Sequence, residues 1–263
     1  MPSRLEVPVT IGGADGLLAD QQSSVAVVVT HPWGPLGGNM HNNVVSAAVL
    51  YFQQLGLTTL RFNFSGCQIG RGGRQVQQVQ EAARLLLSFS TEGPCRYILL
   101  VGYSYGSLIA ASASFDIPQC VGCVSIAPPW SVQHWLLLFN SSYHMNRARQ
   151  LDQLPRLMVM GSRDNFTNLD VFREIVSTFP SENTTGAGLK GADHFFRRRE
   201  RDLMGIIGKW LLATYPQCEG DLRRLAQMEF SIDFGKIGDE LASRRLDEDI
   251  ANSTSNGNCA GFL

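Results

Sequence analysis

The sequence predicts an α/β protein built on a mostly parallel central sheet with helices on both faces, and three observations carry that expectation. Short apolar runs of strand length alternate with longer stretches of helical periodicity along most of the chain. The run SVAVVVT at 24–30 is almost unbroken and β-branched, as in a strand covered on both faces. Residues 96–113 read RYILLVGYSYGSLIAASA, an apolar strand joined through a glycine-flanked turn to a small-residue helix. With 263 residues, 44% hydrophobic and 17% charged, the chain has enough apolar side chains to bury a large core.

Taken in order, Arg4 to Ile11 alternates as a strand does, and Gly12-Gly13-Ala14-Asp15-Gly16 is expected to turn it into a second strand near Leu17 to Ala19. After the 24–30 run, His31 to Gly38 is rich in Gly and Pro and cannot continue regular structure. Val44 to Leu55 has helical spacing, with Asn42 or Asn43 placed to cap it. Leu57 to Phe64 is the next strand, Ser65 to Gly73 a loop, and Gln75 to Phe89 an amphipathic helix with Val76, Val79, Ala82, Ala83 and Leu86 on one face. Beyond the 96–113 stretch come a strand at Cys120 to Ile126, stopped by Pro128-Pro129, and an irregular aromatic segment from Trp130 to Leu154. Arg156 to Met160 is a strand, Leu169 to Phe179 a helix capped by Asn168, Ser181 to Lys190 a glycine-rich connection of weak strand character, and Arg197 to Ala213 the last long helix. These elements define an expected domain over residues 1–215. Residues 216–263 form a charged extension with nine acidic and five basic side chains, expected to be partly helical and disordered at its end.

Composition narrows the function. A net charge of -1 gives no reason to expect nucleic acid or an anionic membrane as the main partner. No run approaches the roughly 18 apolar residues of a membrane span, and MPSRLEVPVTIGG lacks the apolar core of a secretory signal, so the expectation is cytoplasmic. Six scattered cysteines suit a reducing compartment, and Cys120-Val-Gly-Cys123, with no second pair, is expected to be core thiols rather than a metal or redox site. Five N-x-[ST] sequons, beginning at Asn63, carry little meaning without a secretory signal.

Gly102-Tyr103-Ser104-Tyr105-Gly106 is a G-x-S-x-G pattern set between strand and helix, which would present Ser104 at a helix N-terminus where negative charge is favoured. A serine hydroxyl is a weak nucleophile unless a base takes its proton and a third group orients that base. His194 and Asp164 each follow a predicted strand, on the sheet edge where Ser104 emerges. Asp193 is the alternative acid, disfavoured because neighbouring side chains of an extended segment point opposite ways. Backbone N–H groups would bind the oxyanion, one from Tyr105 and a second from Trp33 or Gly34.

The sequence resembles the α/β-hydrolase superfamily, and within it the small cap-poor, dienelactone-hydrolase-like and serine-aminopeptidase-like group. His31 to Met40 resembles that group's HP-x-x-x-x-GG-x-M oxyanion loop, and Leu60 to Gly66 its LRFNFRG strand end, with Ser65 where arginine is usual. Gly102 to Gly106 matches the elbow and Gly191-Ala192-Asp193-His194-Phe195-Phe196 the histidine loop; the likeness spans about residues 5 to 213. It implies the α/β-hydrolase fold and a serine hydrolase acting on a carboxylic ester, thioester or small amide through an acyl-enzyme, with Ser104, Asp164 and His194 catalytic, Trp33 and Tyr105 at the oxyanion, and no metal or organic cofactor. A small molecule or short peptide would be the substrate, and the extension a possible protein-docking segment. The alternative is a hydrolase scaffold that has lost activity and serves protein interaction. His31 is expected to be a structural donor, His41, His134 and His144 surface or loop residues, and the aromatic segment either pocket lining or packing above the sheet.

Overall fold

A computed structural model describes residues 6–65, 70–89 and 95–216. Eight strands form one sheet: β1 (Val7–Ile11), β2 (Ala14–Ala19), β3 (Val25–Thr30), β4 (Thr58–Phe62), β5 (Tyr97–Tyr103), β6 (Cys120–Ile126), β7 (Arg156–Gly161) and β8 (Thr184–Leu189). Their order is β1-β2-β4-β3-β5-β6-β7-β8. The first two ladders, β1 with β2 and β2 with β4, are antiparallel, and all the others are parallel. The hairpin turn is tighter than expected. Gly12 and Gly13, both at positive φ, make it alone, and Ala14 already pairs with Ile11.

Helices α1 (Asn43–Gln54) and α7 (Glu200–Thr214) pack together on one face of the sheet, while α2 (Gly73–Phe89), α3 (Tyr105–Ala113) and α5 (Ser141–Arg149) pack together on the other. The central strands are buried on both sides, which is why Val27, Val28, Leu100 and Val101 need no polar alternation. Each such side chain contributes about 1.5–3 kcal/mol of transfer free energy. Helix α6 (Leu169–Val176) is capped as expected, the Asn168 side chain accepting the N–H groups of Asp170 and Val171, but it ends earlier than its periodicity suggested.

Two further segments differ from expectation. Residues 130–154 are more ordered than their composition suggested, holding a short helix α4 (Gln133–Leu136) and α5 between β6 and β7. The last helix starts at Glu200 rather than Arg197, because Phe196 and Arg198 both take positive φ in a turn that precedes it. The weak 181–190 segment is the edge strand β8, paired only with β7. The expected extension, past its first residue, lies outside the described residues. Among the described residues no helix is long and apolar enough to cross a membrane.

Candidate active site

Strand β5 delivers its last residue, Tyr103, into a sharp reversal at Ser104, whose φ of 55° and ψ of -122° belong to neither strand nor helix. A non-glycine residue costs about 1–3 kcal/mol to hold there, so the surroundings must over-determine it. They do. The Ser104 N–H donates to Ile126 O at 2.8 Å, and its carbonyl accepts the Ser107 N–H at 2.9 Å and the Ser107 hydroxyl at 2.6 Å. The flanking glycines are required by space. A Cβ on Gly102 would lie 2.5 Å from the Gly106 carbonyl oxygen, and one on Gly106 would lie 2.6 Å from that of His31.

The Ser104 hydroxyl donates to His194 Nε2 at 2.9 Å, and His194 Nδ1 donates to Asp164 Oδ2 at 2.7 Å. Ser104, Asp164 and His194 retain 7, 9 and 4% of their exposure, so these bonds lie where water competes poorly. Asp164 comes from the turn after β7, and its second oxygen accepts the N–H groups of Phe166 at 2.7 Å and Thr167 at 3.0 Å. With both oxygens engaged, the carboxylate has one orientation. His194 comes from the loop after β8 and is steadied by the Tyr103 hydroxyl, which donates to its carbonyl at 3.0 Å. The Phe166 ring lies against the imidazole at 4.4 Å between centroids. Burial pushes the Tyr103 hydroxyl pKa up, keeping it a donor. Asp193 is exposed, and its carboxylate accepts the Phe195 N–H at 3.0 Å.

Tyr105 opens α3, so its N–H is among the first-turn donors that have no acceptor within the helix. Trp33 precedes a 3-10 turn at Gly34–Leu36, its carbonyl accepting the N–H groups of Leu36 and Gly38. The end of β4 clamps this loop. Arg61 donates to Met40 O at 3.1 Å, Asn63 Oδ1 accepts the Met40 N–H at 2.9 Å, and the Phe64 N–H donates to His31 Nε2 at 2.8 Å. His31 Nδ1 in turn donates to Pro32 O at 2.6 Å, and burial lowers the pKa of this ring to about 4. The structural role expected for His31 fits these bonds. His144 does not fit a surface role: it is buried, donating from Nε2 to Arg71 O and accepting the Ser112 hydroxyl at Nδ1. Trp130 packs inward on Phe172, while Trp135, Phe139 and Tyr143 face solvent, so the aromatic segment serves neither expected role as a whole.

Comparison with solved structures decides the fold. A putative α/β-hydrolase of Agrobacterium tumefaciens superimposes with a TM-score of 0.61 at 25% identity, covering 85% of this chain and 97% of that one. The chain has the α/β-hydrolase fold. A lid-less α/β serine hydrolase of Xanthomonas campestris aligns with a TM-score of 0.63 at 21% identity (80% and 95% covered), and an α/β serine hydrolase homologue of Coxiella burnetii with 0.60 at 24% (78% and 96%). In sequence the hydrolase-fold chain is 25% identical over 201 residues to an uncharacterized protein of Rickettsia prowazekii, covering 74% of this chain and 81% of that protein. No protein-family model matches.

The residues that sequence reasoning missed are the supports: Tyr103, Phe166, Thr167, Arg61 and Asn63. Tyr103 occupies a free position of the G-x-S-x-G pattern, which states nothing about its partner. Among the described residues no group of three or more His, Cys, Asp or Glu is arranged to hold a metal ion. Cys120 and Cys123 are free thiols, and burial raises the pKa of Cys123 to about 11, as expected of core cysteines.

Proposed function

We propose that the chain is a serine hydrolase that cleaves a carboxylic ester, thioester or small amide through an acyl-enzyme. The observation that carries this reading is the continuous hydrogen-bonded path from the Ser104 hydroxyl through His194 to Asp164. In the proposed reaction Ser104 Oγ attacks the carbonyl carbon while His194 Nε2 takes the hydroxyl proton. Asp164 holds the Nδ1–H tautomer and stabilises the imidazolium. Backbone N–H groups of Tyr105 and Trp33 bind the oxyanion, the first helped by the positive end of α3. The same imidazolium then protonates the leaving alcohol, thiol or amine, and a water activated by His194 releases the acid. The serine hydrolases and esterases among the structural neighbours support the reading, including an esterase of Pyrococcus furiosus at 15% identity and a TM-score of 0.60. The thiols at Cys95, Cys120 and Cys123 suit a cytoplasmic setting.

A fluorophosphonate probe tests the proposal. Labelling of the pure protein, lost in Ser104→Ala together with hydrolysis of short p-nitrophenyl esters, is the expected result. A folded wild-type protein that neither labels nor turns over would return the reading to an inactive scaffold.

A further inference from the structure

Helix α4, the turn after it and the first turn of α5 present Trp135, Leu138, Phe139 and Tyr143 to solvent, at 74, 45, 72 and 52% exposure. Residues 130–146 contain no Asp, Glu, Lys or Arg, so no charged side chain of this segment offsets the apolar surface. Leu138 and Phe139 also hold positive φ values of 42° and 62°, a conformation that glycine adopts without cost. Two large apolar residues are thus kept where both backbone and water disfavour them.

The base of the segment is tied to the body by several side chains, and the tip through Asn140. His144 bonds to Ser112 on α3, Arg147 pairs with Asp116, and Arg156 donates to the carbonyls of Ala148, Leu151 and Leu154. The tip lies at the sheet edge where Ser104 emerges: the Asn140 side chain donates to Arg71 O in the loop after β4. Leu36 at 71% and Phe195 at 45% exposure stand on loops of the same edge. That edge also carries exposed Arg71, Arg74, Arg163, Arg197 and Arg198, none of which forms an ion pair among the described residues. Residues 1–216 hold 17 basic against 14 acidic side chains, so the -1 of the whole chain hides a positive body.

We propose that this edge docks on a lipid surface carrying anionic headgroups, with Trp135, Leu138 and Phe139 entering the headgroup boundary and the arginines pairing with phosphates. Aromatic residues with an apolar body suit that boundary, and arginines near the surface of an anionic membrane are attracted to its headgroups. Docking would bring the proposed hydrolase site to esters or thioesters held at the interface, and in that respect the inference rests on the proposed function.

The test reads binding, so it stands apart from chemistry. Full-length Ser104→Ala protein is floated with vesicles of about three parts phosphatidylcholine to one part phosphatidylserine. Expected is co-flotation, weakened by salt and on pure phosphatidylcholine, with a blue shift of tryptophan emission that Trp135→Ser removes. The double variant Leu138→Gly, Phe139→Gly relaxes the backbone and so keeps the fold; its partitioning is expected to fall about tenfold or more. In the Ser104 background that variant should hydrolyse a soluble short ester as the wild type does. Protein that stays in the aqueous fraction, or a double variant that floats like its parent, would overturn the proposal. So would a lipid-free dimer that the double variant converts to monomer, since a second copy would then be what covers the patch.

Discussion

Asp164 reaches the His194 ring with Oδ2 and accepts two backbone N–H groups with Oδ1, whereas Asp193 turns its carboxylate onto the Phe195 N–H. The same side chain therefore has two different consequences when altered. Asp164→Asn leaves the shape but offers an amide to Nδ1, favouring the wrong tautomer, a change worth about 10⁴ in turnover in the serine-protease precedent. Asp193→Asn keeps an oxygen for the Phe195 N–H, and turnover should fall less than about tenfold, within the loss of one partly exposed hydrogen bond. Ester hydrolysis by the two purified variants, measured side by side, checks the order of the losses; the reverse order would make Asp193 the acid. The three proposed catalytic residues could be picked out because each follows the end of a strand, and strand ends leave a trace in composition. Tyr103, Phe166 and Thr167 could not, because their contacts with His194 and Asp164 join residues whose pairing only the folded sheet defines.

At the level of elements, the β5–Ser104–α3 turn depends on two glycines whose missing Cβ atoms would otherwise meet backbone. Gly106→Ala is expected to cost about 2 kcal/mol or more, because the atom in its way is a main-chain oxygen that cannot rotate aside. Its urea midpoint should fall and fluorophosphonate labelling should fail even at concentrations where the variant stays folded. Asn168→Ala offers the contrast. It removes a helix cap, costs about 1 kcal/mol, and should leave the rate of hydrolysis unchanged. A lowered rate in that variant would tie α6 to the site more closely than its hydrogen bonds suggest. Buried parallel strands and the Asn168 cap were readable from sequence, since period and cap chemistry are local, whereas the cap expected for α1 fails because Asn42 turns its side-chain oxygen to the Asn39 N–H instead. The 130–154 segment was not: α5 holds its place through Arg147, His144 and Arg156, whose partners lie on α3, on the loop after β4 and on carbonyls that only a finished turn presents.

Across the whole molecule, the buried ring of His31 couples stability to pH. Its ordinary pKa of 6.5 falls to about 4 in the fold, so on acidification the unfolded chain takes up this proton first. The contribution of the neutral ring is complete above 6.5 and is lost as pH falls towards 4, to a limit of about 3 kcal/mol. Urea midpoints measured across that range should decline, and His31→Asn should flatten part of the decline. An unchanged slope in the variant would assign the acid sensitivity to other groups. Strand β8 has a different consequence. It is a glycine-containing edge strand, largely exposed, with one neighbour, yet the loop that follows it carries His194. Such a strand opens at lower free energy than the central sheet. The proposed hydrolase activity should therefore vanish at a lower urea concentration than the far-ultraviolet signal of the sheet. The working lifetime of the proposed active site would then be set at the margin of the sheet, by a strand that can come away while the rest of the protein still stands.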